Sequence, residues 1–190
     1  GATFSLAKIA ADGGGHPLGI SYWQSIIGAF FLILVRHLSK QKAPLRKADA
    51  VFYLACGLLG SVVPGVIYFY AAARVSPGVL AITVATVPLI TFIAAGIIGV
   101  EKFRMGRVFG VIIGVLSIFL LVGPDESLPD PGVVPWVLLS LISAFCYSAE
   151  NLWVALRIPT GVHALTVATG MYIAATLVTT PIILLTGTFV

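Results

Sequence analysis

Glu150 is the residue of this sequence best suited to do chemistry, because it is an acidic side chain inside a long apolar stretch. A charge in such a stretch is costly unless it faces protein or water. If the stretch is helical, Glu150 shares a face with Ser143, Cys146, Tyr147 and Trp153. A polar and aromatic stripe of this kind is suited to lining a pathway. Three roles are open for Glu150: a proton-carrying carboxylate, a contact for a cationic solute, or a structural partner.

Two further polar residues could act together with Glu150. Lys8 lies in the first apolar stretch, where it could pair with the Glu150 carboxylate or extend its long stem to the outer interface. Asn151 follows Glu150 in the chain and could hydrogen-bond between helices. The 3 histidines fall at the ends of apolar stretches and show no metal-ligand spacing. We therefore expect neither a metal ion nor a cofactor.

Aromatic side chains near the ends of apolar stretches form a second group of candidates. Trp23 and Gln24 follow the start of one stretch, and Tyr68 and Tyr70 lie near the end of the next. Trp and Tyr at such positions commonly form interfacial belts. A belt and an aromatic-walled vestibule both fit these residues, and Gln24 is the one that a belt explains least.

These candidates are carried by apolar stretches long enough to cross a bilayer. The chain of 190 residues is 59% hydrophobic and only 9% charged, and its apolar blocks have the length of about 20 residues that a transmembrane helix needs. Barrel strands would instead alternate over about 10 residues. We predict an all-α, polytopic transmembrane helix bundle. The predicted spans are a partial one at 1–11 and full ones at 18–38, 51–73, 79–100, 105–123, 133–156 and 164–185.

The basic residues lie in short loops between these spans. Lys and Arg concentrate in 36–47, in 102–107 and at Arg157, while the alternate loops hold Arg74 and several acidic residues. This asymmetry predicts that the basic loops face the cytoplasm. The net charge of +4 is therefore explained by the basic loops that set the orientation of the protein in the membrane. Since no basic, aromatic-rich face accompanies it, we expect no nucleic-acid partner.

Prolines and glycines interrupt the predicted spans. Three prolines lie within spans, and each removes a backbone donor and frees a carbonyl, which gives either a tolerated kink or a break that lines a cavity. Pro64 is the strongest candidate for a functional break, because Gly60, Ser61 and Gly65 surround it.

A tandem G-x-x-x-G pattern at Gly106, Gly110 and Gly114 marks the span 105–123. Small residues at this spacing let transmembrane helices approach closely. We expect these glycines to pack against another helix of the same chain; the alternative is that they hold two copies together as a homodimer.

The stretch LACGLLGSVVPGVIYFYAAARVSPGVLAITVATVPLITFIAAGIIGVEKFRMGRVFGVIIGVLSIFLLVGP, residues 54–124, resembles the EamA family of the drug/metabolite transporter superfamily. The order of its features carries the resemblance: a Gly-rich helix with an aromatic-Ala-Ala ending, a Ser-Pro helix start, a Val-Pro, a Gly-x-Glu-Lys turn and a Gly-x-x-x-Gly helix. The resemblance implies inverted five-helix repeats. Residues 1–123 would then form a first repeat lacking part of its first helix, and 124–190 two helices of a second repeat whose last three helices are absent. In that register His16 aligns with His163.

The resemblance implies a multi-pass protein of the cell's inner membrane that exports small metabolites, such as amino acids, drug-like compounds or other polar solutes. Alternating access would drive the export, with proton coupling open, and the partners would be the solute and the lipid bilayer. An intramembrane enzyme is the main rival, but it needs a nucleophile with a base or paired metal ligands at matching depth. A non-transporting membrane scaffold is the third class, and it would give Glu150 no purpose.

Overall fold

The protein is all helical in the residues described by the computed structural model, namely 9, 13–39, 46–100, 105–122, 132 and 134–189. Its helices are α1 (Pro17–Leu38), α2 (Ala50–Gly57), α3 (Val63–Ala72), α4 (Pro77–Ala85), α5 (Val87–Ile97), α6 (Met105–Val122), α7 (Val134–Arg157) and α8 (Ala164–Thr186). A short 3-10 turn, Lys47–Asp49, precedes α2, and a π-helical turn, Leu58–Val62, joins α2 to α3.

Length and composition confirm the prediction of a polytopic helical membrane protein. Within the described residues, 5 helical segments are long and apolar enough to cross a membrane: Pro17–Leu38, Lys47–Ala72, Pro77–Ile97, Val134–Arg157 and Ala164–Thr186. They match the predicted spans to within a few residues, and α6 lies where another span is predicted. The partial span 1–11 falls almost wholly outside the described residues.

Helix starts follow from residues that accept hydrogen bonds from the first free backbone amides. Ser76 caps α4, with Val79 N donating to its Oγ over 3.4 Å, and Pro77 is the first helical residue. Histidines cap two other helices: His16 Nδ1 accepts from Leu18 N at 3.3 Å, and His163 Nδ1 accepts from Leu165 N at 3.2 Å.

Two helices of the C-terminal part organise the packing. α7 lies against α3, α4 and α5, whereas α8 lies against α1 and α2. α1 and α8 run in opposite directions, because Gly19 approaches Thr188 and Gly28 approaches Tyr172. Small side chains permit these close contacts, and Cys56, Ala71, Ala72 and Ala175 are fully buried.

The glycines of α6 do not make the close helix contacts that the G-x-x-x-G pattern predicts. A Cβ added at Gly106, Gly110 or Gly114 would meet no atom within 4 Å. Intramolecular helix contact at these glycines, as expected from the sequence, is therefore not found among the described residues. Gly110 and Gly114 instead line a cavity between α5, α6 and α7.

Candidate functional site

Glu150 lies on α7 and reaches toward the π-helical turn between α2 and α3. A Cβ added at Gly60 would lie 2.9 Å from Glu150 Cγ and 3.1 Å from Met171 Sδ, so a larger residue there would displace the Glu150 or the Met171 side chain. Glu150 is half-buried. It therefore faces other helices of the bundle at a point where the regular helix is interrupted.

The interruption follows from the local sequence. Pro64 has no N–H to give to the carbonyl one turn earlier, and the preceding segment widens into a π-turn in which Val63 N donates to Leu58 O. The Pro64 side chain is buried, and its carbonyl accepts a hydrogen bond from Ser143 Oγ of α7 at 3.1 Å. A side-chain hydroxyl from another helix thus holds the broken segment in place.

A second interruption lies between α4 and α5, in front of Pro88. Thr86 ends the hydrogen-bonding pattern of α4, and its Oγ1 donates to Thr83 O at 2.6 Å. Ser148 Oγ of α7 donates to Val87 O at 3.1 Å, as well as to Ala144 O of its own helix at 2.8 Å. α7 therefore contacts both breaks through serine hydroxyls, and Ser143 and Ser148 lie about two turns and about half a turn before Glu150.

The side chains around Glu150 are aromatic or sulfur-bearing. Tyr147 of α7 and Cys56 of α2 lie in the neighbourhood of the Glu150 carboxylate, and Tyr172 of α8 lies in the neighbourhood of Tyr147. Within the described part of the chain, Glu150 has no hydrogen-bond donor and no ion-pair partner. A carboxylate without such a partner can in general take up a proton or attract a cation.

Trp153 and Tyr68 lie in the packed parts of the same bundle. Trp153 packs against Phe52, Cys56 and Val167, and its Nε1 is buried without a hydrogen-bond partner among the described residues. Tyr68 packs against the small residues at the end of α3 and interacts electrostatically with Tyr147. These side chains therefore lie in the interior of the helix bundle, as do Glu150, Tyr147 and the break at Pro64.

Asn151 occupies a different surface from Glu150. It is exposed and lines a cavity of about 910 Å³ between α5, α6 and α7, together with Pro88 and Thr91. Thr91 Oγ1 is buried and has no hydrogen-bond partner among the described residues. Apart from these two side chains the walls of this cavity are mainly apolar.

The remaining predicted residues lie apart from the Glu150 position. Trp23 is 47% exposed and donates from Nε1 to Phe189 O at 3.0 Å, and Gln24 is exposed on the same helix. Tyr70 meets His16, with its hydroxyl 3.5 Å from Nε2 and the two rings edge to face. Lys8 lies outside the described residues, so its pairing with Glu150 stays a prediction.

Several residues of this region were missed by the sequence analysis because they are small or hydroxylic. Ser25 Oγ lies 3.3 Å from Ser61 Oγ, and Ser148 reaches Val87, although neither contact follows from hydropathy. Met171 became a candidate only through its position beside Gly60. The available signal was the spacing of serines along α1 and α7, since Ser21 and Ser25 are one turn apart and both are buried.

Three comparisons with known proteins bear on this arrangement. A model of the EamA-like transporter family matches residues 1–123, which is more than half of the chain. Neither the curated proteins nor the solved structures gave a match.

Proposed function

Because the chain belongs to the EamA-like transporter family, we propose that it exports small polar or amphipathic metabolites across the inner membrane by alternating access. Family membership makes it a membrane transporter of the drug/metabolite type; the family consists of transporters, not enzymes. The observation that carries the finer proposal is the Glu150 carboxylate, which faces the π-turn at Gly60 without a cationic partner among the described residues.

We propose that Glu150 selects the solute and couples its export to the movement of a proton. A carboxylate held among aromatic and sulfur-bearing side chains attracts a positively charged group strongly, because the surroundings screen the charge weakly. The same carboxylate can take up a proton when no cation is present. Solute and proton would then compete for one site, which is a simple basis for proton-coupled export.

The two interrupted segments are proposed to move during transport. Each is held to α7 by one serine hydroxyl, Ser143 on Pro64 O and Ser148 on Val87 O, at 3.1 Å in both cases. A single neutral hydrogen bond contributes about 1 kcal/mol, so these bonds can exchange on the time scale of transport. Irregular backbone at membrane depth is typical of transporter binding sites.

The equivalent caps of α1 and α8 support an arrangement in two inverted repeats. His16 and His163 occupy aligned positions in the proposed register, and each accepts a hydrogen bond from the amide two residues later. The two helices also run in opposite directions, as repeats of inverted topology require. Rocking of one repeat against the other would expose the Glu150 position to each side of the membrane in turn.

Efflux measurements on cells that express the protein test the proposal. A panel of labelled cationic, neutral and anionic metabolites is loaded, and efflux is followed at two external pH values for the parent and for Glu150→Gln. Glu126→Gln, which removes the same charge outside the predicted spans, is the matched control. We expect Glu150→Gln to reduce the efflux of cationic solutes at least about tenfold, since a charge-assisted contact contributes about 1.5–3 kcal/mol.

The pattern of loss separates the roles open to Glu150. Loss restricted to cationic solutes indicates a solute contact, whereas loss for every solute together with loss of the pH dependence indicates proton coupling. Efflux of all solutes at the parent rate by Glu150→Gln would contradict both roles and favour a structural one.

A further inference from the structure

A groove between α2 and α8 lies apart from the Glu150 position. Its volume is about 310 Å³. Its lining residues are Arg46, Lys47, Ala50, Tyr53, Leu54, Gly170, Ile173, Ala174, Leu177 and Val178. Cationic side chains thus stand at one end of the groove, and its remaining length is mostly apolar.

The apolar part opens to the outer surface of the bundle. Leu54 is 42% exposed and Leu177 is 69% exposed, so both side chains lie on the outer surface of the described bundle. From Gly170 to Val178 the helix rises about 12 Å, at 1.5 Å per residue. This length matches several methylene groups of an extended acyl chain lying along the protein.

The polar end of the groove carries an excess of positive charge. Arg46 and Lys47 are exposed at the start of the apolar segment Lys47–Ala72. Arg36, from the end of α1, and Asp49 are close enough to Tyr53 to affect it electrostatically. Among the described residues, cationic side chains therefore outnumber carboxylates at this end.

Tyr53 lies between the charged and the apolar parts. Its side chain is only 5% exposed, and it lines the groove while its hydroxyl has no hydrogen-bond partner among the described residues. A buried hydroxyl is normally hydrogen-bonded. The groove therefore presents two cations, a hydroxyl donor and an apolar channel, in that spatial sequence.

We propose that this groove binds one anionic phospholipid, of the phosphatidylglycerol type. Its phosphate lies against Arg46 and Lys47, the Tyr53 hydroxyl donates to an ester or phosphate oxygen, and one acyl chain follows Leu54 and Leu177. Basic pockets between transmembrane helices recognise anionic headgroups in this way. A zwitterionic lipid fits less well, because its own cation would lie near the same two charges.

Lipid retention measured by native mass spectrometry tests this proposal independently of transport. The purified protein is equilibrated in detergent with equal amounts of phosphatidylglycerol and phosphatidylcholine that carry identical acyl chains. We expect one retained phosphatidylglycerol, preferred by about tenfold or more. The double variant R46Q/K47Q should abolish this preference, since each cation contributes about 1 kcal/mol, or about fivefold, near a membrane surface.

Two further variants and a competitor keep the result interpretable. Arg74→Gln removes a positive charge beyond the other end of α3 and should leave the preference unchanged. Ala50→Phe fills the groove without altering charge and should lower the retention of both lipids, with helix content followed by circular dichroism. Equal retention of the two lipids by the parent, an equal effect of Arg74→Gln, or displacement of the lipid by millimolar inorganic phosphate would overturn the proposal.

Discussion

Replacing Gly57 by alanine tests the closest approach between α2 and α8. A Cβ added at Gly57 would lie 2.9 Å from Met171 O and 3.0 Å from Ala175 N, whereas ordinary contacts begin at 3.4 Å. The two helices must therefore separate locally by about half an ångström. Both neighbours are backbone atoms, so no side chain can rotate to make room. Overpacking of this kind costs about 1–3 kcal/mol.

The net effect depends on a second, opposing contribution. Alanine favours a helix over glycine by about 1 kcal/mol, so Gly57→Ala should destabilise the protein by up to about 2 kcal/mol. Gly110→Ala is the matched control, because its added Cβ meets nothing within 4 Å. That variant should be more stable than the parent by up to about 1 kcal/mol. The difference between the two variants isolates the overpacking cost.

Unfolding of the detergent-solubilised protein by sodium dodecyl sulfate, followed by far-ultraviolet circular dichroism, measures both variants. Size-exclusion chromatography checks that neither variant changes the oligomeric state. If Gly57→Ala and Gly110→Ala shifted the unfolding midpoint equally, α2 and α8 would not touch at this position, and the packing described here would be wrong.

Three further variants address single contacts. Ser143→Ala leaves the Pro64 carbonyl without its donor and should cost about 1 kcal/mol of unfolding free energy in the same titration, while Ser140→Ala, whose hydroxyl donates to Val137 O of its own helix, serves as its comparison. His163→Ala removes the cap of α8 and should cost about 0.5–2 kcal/mol, seen as lost helicity; full retention of stability would contradict the cap. Arg74→Gln removes a guanidinium 4.0 Å above the Trp136 ring, and it should cost about 0.5–1 kcal/mol and alter tryptophan fluorescence, whereas an unchanged spectrum would argue against the stacking.

The spans were predictable because hydropathy and length decide them almost alone. The start of α4 was predictable as well, since Ser76 and Pro77 are a local signal that needs no tertiary contact. The interruption near Pro64 was foreseen from its neighbours. Its form, a π-turn held by Ser143, was not, because the hydroxyl comes from a helix 79 residues away.

The candidate site was predictable only in part, for the same physical reason. The depth of Glu150 is a property of its own segment, but the residues that it meets belong to α2 and α8. Hydropathy cannot tell an inward-facing polar residue from an outward-facing one, so Gln24 was grouped with residues that the structure places elsewhere. The G-x-x-x-G pattern on α6 likewise indicates the ability to pack closely without naming the partner.

The position of Ser143, Ser148 and Glu150 on a single helix has a consequence for leakage. A helix turns about 100° per residue, so a roll of α7 that redirected the carboxylate would also carry both hydroxyls away from the carbonyls of Pro64 and Val87. An incomplete roll would forfeit those bonds without finishing the reorientation. In the proposed transport cycle, intermediates open to both sides of the membrane would therefore be sparsely populated. The rigidity of α7 would in this way limit the leakage of ions.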